Sequence, residues 1–252
     1  MLPGTGTVVN AGTVVIGTTI GALVGHRLPD RTRRVVTDGL GLVTLLIAGE
    51  SAMHVGDRTL RHAVGTSAPM LIVLGSVLVG GIVGSLLRIE DRLESFGGVL
   101  QKFAVRRFGG GAAHESRTRF IQGFVTSSLV FCVGPLTILG SIDEGLGKGA
   151  DQLLLKAALD GFASIAFAAA YGWGVGASVV VLVVVQGSLT ALGAALGSFV
   201  PDAHLSALTA TGGLLLVGVA LRLLEIKQVK VADLLPALVA APLLTELVVQ
   251  LR

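Results

Sequence analysis

The sequence predicts an all-α, polytopic membrane helix bundle with about eight transmembrane helices, and two observations carry that reading. Of its 252 residues, 52% are hydrophobic and 14% charged, with a mean hydropathy of +0.82. The charges fall in short clusters between apolar runs of about 20 residues, the length that crosses a roughly 30 Å hydrocarbon core as a helix. A soluble domain of this length needs a charged surface, and no segment remains to supply one. The 36 glycines suit helix packing in lipid, where small residues let backbones approach.

Taken in order, helix one is expected at about 6–26, followed by the basic loop HRLPDRTRR; helix two lies at about 36–53 and helix three at about 68–87. No Lys or Arg precedes the first apolar run, so it reads as a retained helix rather than a cleavable signal. Residues 88–119 form the longest polar stretch, with charges of both signs and GGG at 109–111, and read as a loop. Helix four is FIQGFVTSSLVFCVGPLTILGSI, residues 120–142, interrupted by Gly134 and Pro135. Proline lacks an N–H and clashes with the carbonyl four residues earlier, that of Phe131, so this helix should be broken. Freed backbone groups in hydrocarbon must be satisfied, which places such a break inside protein or beside a cavity; a purely structural kink is the plainer alternative.

Asp143–Gly149 reads as an acidic, Gly-rich turn, with Asp151 as N-cap of helix five at about 152–171 and a tight hairpin at Gly172 and Gly174. Helices six, seven and eight follow at about 175–199, 204–225 and 231–250. With the N-terminus outside, the inner loops hold fourteen Lys and Arg against four in the outer segments, which predicts both termini outside an inner membrane. That bias also explains the pI of about 9.4 without a nucleic-acid partner.

The chain resembles itself. GALVGHRLPD at 21–30 aligns without gaps with GAALGSFVPD at 193–202, and in the same register Thr37, Gly41 and Leu42 fall on Thr209, Gly213 and Leu214. One residue out of step, APML at 68–71 matches APLL at 241–244. Helices one to three thus match helices six to eight, and a separation of five helices makes the repeat inverted. The predicted organisation is one integral membrane domain, 1–252: a repeat unit at 1–87, a cytoplasmic loop at 88–119, central helices at 120–172 and the inverted unit at 173–252. Inverted repeats in transporters place substrate near the bilayer midplane, often at discontinuous helices.

Candidate binding residues follow. Lys156 and Asp160 in helix five are four apart and share a helical face. Asp160, the deeper of the two, is a candidate for binding a cation or accepting a proton, while Lys156 is near enough to the helix start to snorkel. Asn10 and Gln186 are amides at membrane depth on symmetry-related helices, able to bond substrate or one another's helices. Around the break, Ser128, Cys132, Gly134, Pro135 and Thr137 complete the set, with Cys132, Gly134, Pro135 and Asp160 expected to line one cavity. Glu50 falls opposite Arg222 in the repeat alignment, both as interfacial anchors, and Glu246 has no obvious partner. Gly17, Gly21 and Gly25, with Gly193 and Gly197, and Gly80 with Gly84, make small-residue faces for packing.

Enzyme signals are weak. Cys132 has no His nearby in sequence, the five His residues show no metal-ligand spacing, and no phosphate-binding loop stands in the right setting, so no enzyme activity, metal or cofactor is expected.

FCVGPLTILGSIDEGL, followed by LLLKAALDGFASIAFA and VQGSLT, resembles the YdfK/YqgA family of prokaryotic inner-membrane proteins, a family named for an uncharacterised domain. The opening GTVVNAGTVVIGTTIGALVG and LLPAL at 234–238 extend the resemblance over nearly the whole chain. It implies a polytopic bacterial membrane protein in which the broken helix, Asp160 and Gln186 belong to one shared pattern. The expected function is secondary transport of a small solute or ion, with a passive channel, or a membrane scaffold or sensor working through 88–119, as the alternatives. The expected partners are the bilayer, the solute and, without a resolved state, other copies of the chain.

Overall fold

The computed structural model describes residues 3–25, 29–108, 114–133, 135–147, 149–196 and 201–251, and among these it is helical with no strand. The helices are α1 (Thr5–Gly25), α2 (Asp30–Ala52), α3 (Arg58–Val64), α4 (Ala68–Leu87), α5 (Ile89–Phe108), α6 (His114–Val133), α7 (Pro135–Gly145), α8 (Asp151–Tyr171), α9 (Gly174–Ala177), α10 (Val179–Leu196), α11 (Asp202–Leu223) and α12 (Ala237–Gln250). Short 3-10 turns at Met53–Gly56 and Val231–Leu234 precede α3 and α12.

Among the described residues, seven helical stretches are long and apolar enough to cross a membrane, and an eighth arises if α6 and α7 count as one span. The exposure pattern is the one a lipid solvent selects. Leu46, Leu86 and Phe162 are more than 70% exposed, while Asn10, Ser127, Ser141, Ser164 and Gln186 are fully buried. In water that distribution exposes apolar area unfavourably; in lipid the tails cover the apolar side chains and the polar groups turn inward.

The chain forms two compact units. The first comprises Met1–Leu40, Asp91–Cys132 and Leu136–Gly197. Its centre is a parallel pair of helices: Gly6 meets Leu153, Gly17 meets Gly161, Gly21 meets Ile165 and Gly25 meets Ala169, so the register of α1 and α8 advances together. A Cβ at Gly25 would lie 2.5 Å from the Ala169 carbonyl oxygen, which only glycine avoids. The expected small-residue face of helix one is therefore a packing face. α10 runs the other way along α1: Gly176, just before it, lies against Thr18, whereas α7, whose Glu144 bonds Gly6, packs through Gly145 on Thr190.

The second unit comprises Gly41–Glu90, Val133–Pro135 and Ser198–Arg252. Leu60, Val64, Ile72, Ala203, Ala207 and Ala241 make its apolar core. α4 and α12 are antiparallel, with Gly84 against Asp233, Gly80 against Ala237 and Gly75 against Leu244. Asp57 caps α3 by accepting from the Thr59 N–H at 2.9 Å, and its other oxygen accepts from Ser206 Oγ at 3.1 Å, tying the cap to α11.

Several expectations are corrected. Residues 89–108 are not loop but the amphipathic helix α5, whose Gly97 packs on Phe124 and whose Phe96, Val99 and Phe103 face outward. Its charges of both signs hid the helical period. The helix after the break runs to Gly145, so Asp143 and Glu144 are helical rather than part of a turn. Asp151 is the first residue of α8, and Ala150 occupies the N-cap. Arg222 pairs with Glu90 rather than standing as an anchor, and Glu246 has a partner, its Oε2 accepting from His204 Nε2 at 3.0 Å. Gly134, Gly197 and the GGG at 109–111 lie outside the described residues.

Candidate functional site

The site is assembled by α1, α6, α7, α8 and α10 of the first unit. α6 and α7 meet at 71°, with Pro135, which cannot continue the hydrogen bonds of α6, as the first residue of α7. The Phe131 carbonyl, which proline excludes from its helical partner, instead accepts a hydrogen bond from Thr137 Oγ1 at 2.8 Å. Thr137 thus closes one side of the break internally. The Phe131 ring packs edge-on to Phe167, with centroids 6.0 Å apart, and the Lys156 ammonium lies 5.9 Å from the Phe131 centroid. Phe131, one turn before the break, is accordingly a neighbour of the charged turn of α8.

Lys156 does not snorkel. It is 4% exposed and donates to Asp160 Oδ2, one turn on, and the same oxygen accepts from Asn10 Nδ2 at 2.9 Å. Two charges in a low-dielectric interior are tolerable when paired and further hydrogen-bonded. Thr13 adds a bond from α1 to α8, donating to the Ala157 carbonyl at 2.8 Å. The structure therefore brings three predicted residues, Asn10, Lys156 and Asp160, into one network.

Other buried polar atoms of the first unit have no protein partner among the described residues. Asn10 Oδ1 is one, Gln186 Oε1 and Nε2 are two more, and the hydroxyls of Thr7, Thr18, Ser128, Ser141 and Thr190 add five; Glu144 Oε2 completes the first unit's set. Their spacing is regular. Thr7, Asn10 and Thr18 lie on one stripe of α1, Gln186 and Thr190 are one turn apart on α10, and Ser141 and Glu144 are one turn apart on α7. The antiparallel run of α10 along α1 brings Gln186 to about the depth of Asn10. An unmade hydrogen bond at a buried polar group costs about 1–3 kcal/mol, and more in hydrocarbon, so each group of this polar file leaves a cost that the described residues do not meet.

The remaining predicted residues divide. Ser128 belongs to this file and Cys132 is half-buried. The Pro135 side chain and Gly134 lie outside the described residues. Glu144 was missed. It is 3% exposed, and its Oε1 accepts from the Gly6 N–H at 2.6 Å. The available signal was Ser141 three residues before it, a polar pair on one face continuing the apolar run.

This arrangement sits in a chain with relatives. A family model described as "Protein of unknown function (DUF554)" matches residues 5–246. The chain belongs to this family. It is 27% identical over 237 residues to the uncharacterized membrane protein YdfK of Bacillus subtilis (strain 168), covering 94% of this chain and 93% of the relative. It is 29% identical over 236 residues to the uncharacterized protein YqgA of Escherichia coli (strain K12), covering 94% of each. No solved structure matches the chain. Every residue of the polar file lies within the matched family span, so the site is part of the shared domain rather than an appendage.

Proposed function

We propose that the protein is a secondary transporter of a small polar solute or ion in the inner membrane, working by alternating access and without enzymatic chemistry. Gln186 carries this reading: a fully buried amide in an apolar helix with neither its oxygen nor its nitrogen bonded among the described residues, at about the depth of Asn10 Oδ1, which is likewise unbonded there. Amides can coordinate a cation through oxygen or bond a solute through both atoms. The Lys156–Asp160 pair beside them supplies charges whose balance a bound proton or ion would alter.

Three features support the inverted-repeat part of the proposal. The matched helix pairs α1 and α10, α2 and α11, and α4 and α12 all run antiparallel, as inversion requires. Within the second unit a Cβ at Gly41 would lie 2.7 Å from Leu224 Cγ, and one at Gly213 would lie 2.9 Å from Ala52 Cα. The repeat offset carries Gly41 onto Gly213 and Ala52 onto Leu224, so the two contacts exchange. The parallel run of α1 and α8 also supports counting α6 with α7 as one crossing: if α2 and α4 each cross once, a re-entrant α6–α7 would leave α8 antiparallel to α1. Eight crossings then put both termini on one side, and the Lys and Arg bias puts that side outside. A C-terminal reporter fusion active only in the cytoplasm contradicts this orientation.

The test is a thermal-shift screen of ions and metabolites on the purified protein, followed by flux of each hit in proteoliposomes. The expected result is saturable uptake by wild type and loss of both uptake and ligand shift in Gln186→Leu. Wild-type flux from Gln186→Leu sinks the assignment, and unsaturated conduction at channel rates would favour the channel.

A further inference from the structure

We propose that Glu144 is the anionic ligand of a monovalent inorganic cation site at the N-terminal end of α1, completed by the hydroxyls of Thr7, Ser141 and Thr190. This deepens the transport reading by naming the coupling ion's class and place, and it rests on that reading only for the role of the ion, not for its binding.

The argument begins with charge. In the first unit Lys156 and Asp160 neutralise one another, whereas Glu144 is equally withdrawn, at 3% exposure, and forms no ion pair among the described residues. One oxygen is satisfied: Oε1 accepts the Gly6 N–H, a donor that the first turn of α1 leaves free and that carries the positive end of the helix dipole. Oε2, on the same carboxyl, has no partner among the described residues. A buried carboxylate left in that condition is strongly destabilising, and a cation relieves it.

The surroundings offer oxygen. Thr7 follows Gly6 on α1 and is 5% exposed; Ser141 precedes Glu144 by one turn on α7 and is fully buried; Thr190, 5% exposed, stands on α10 where that helix meets Gly145. All three hydroxyls lack partners among the described residues. Glycine permits the close approach of these helices: a Cβ on Gly6 would lie 2.6 Å from Leu153 Cβ and 3.2 Å from Glu144 Oε1, and one on Gly145 would strike the Thr190 carbonyl.

The donor set selects the ion. Carboxylate and hydroxyl oxygens are hard ligands suited to hard cations, and a single negative charge matches a single positive one. Sites for transition metals draw on His and Cys, and among the described residues no group of three His, Cys, Asp or Glu is arranged to hold a metal.

The experiment uses the full chain in nanodiscs of zwitterionic lipid. Melting is followed in sodium, potassium, lithium and choline chloride at one ionic strength. At least one alkali chloride should raise the melting temperature saturably over choline, and Glu144→Gln, which keeps an acceptor for the Gly6 N–H, should melt alike in all four salts. Thr190→Val and Ser141→Ala should fold and raise the half-saturating concentration about tenfold each, the effect of one lost ligand worth roughly 1.4 kcal/mol. Identical wild-type melting in all four salts overturns the site, as does a cation shift retained by Glu144→Gln. A shift that follows pH alone assigns Glu144 a proton and likewise overturns it. Cation binding is read without flux, so a cation response with no solute transported would stand while the transporter reading falls.

Discussion

Glu90 in the second unit and Glu144 in the first are each 3% exposed, yet the chain treats them differently. Glu90 is saturated: Oε1 accepts from Arg222, Oε2 accepts from the Ala232 N–H at 2.8 Å, and its own N–H donates to Asp233 Oδ1 at 2.9 Å. Glu144 has one bond and one oxygen without a partner among the described residues, and Asn10 Oδ1, both polar atoms of Gln186 and the hydroxyls of Thr7, Ser141 and Thr190 are likewise unpartnered there. A closed network of this kind ties Glu90 to α11 and to the turn before α12. The open one leaves hydrogen-bonding capacity unmet among the described residues. The contrast teaches that burial alone does not describe a carboxylate's state; the partners that it finds do.

That contrast can be broken by substitution. The largest effect should come from opening the closed network: Arg222→Ala leaves Glu90 buried and uncompensated, and should lower stability by about 3–5 kcal/mol, read as loss of monodisperse protein and a collapsed melting temperature. Next, Gly84→Leu drives a side chain into the Asp233 carbonyl and should destabilise by about 1–3 kcal/mol in denaturant titration, because α4 can no longer approach the chain there. In the open network the sign should change. Gln186→Leu removes an amide that bonds nothing and should leave stability unchanged or raise it by about 1–2 kcal/mol, while transport is lost. Last, Glu246→Gln should shift stability by no more than about 1 kcal/mol, since the Glu246 side chain is 49% exposed where it meets His204.

What the sequence disclosed follows from the range of each interaction. Lys156 and Asp160 are one turn apart, so their pairing is written in their spacing. Proline's effect on the Phe131 carbonyl is equally local, and Thr137 is the answer the structure supplies. The glycine faces on helices one and three announced packing, although not that Gly17, Gly21 and Gly25 would meet α8. Contacts between distant segments were not legible: Glu90 and Arg222 are 132 residues apart, and His204 and Glu246 are 42 apart. α5 was missed because its apolar stripe of Phe96, Val99 and Phe103 is diluted by charge. Glu144 was missed because acidic and glycine residues after an apolar run read as a turn, and only its bond to Gly6 shows that it is turned inward.

The central claim is that the bare polar atoms of the first unit are completed by a ligand. An electron cryo-microscopy structure in lipid nanodiscs, with the ion or solute found by thermal shift present, tests it most directly. The account predicts non-protein density within about 2.7–3.2 Å of Gln186 and Asn10 Oδ1. Gln186 and Asn10 bonded only to each other, with protein packed dry around them, would contradict it.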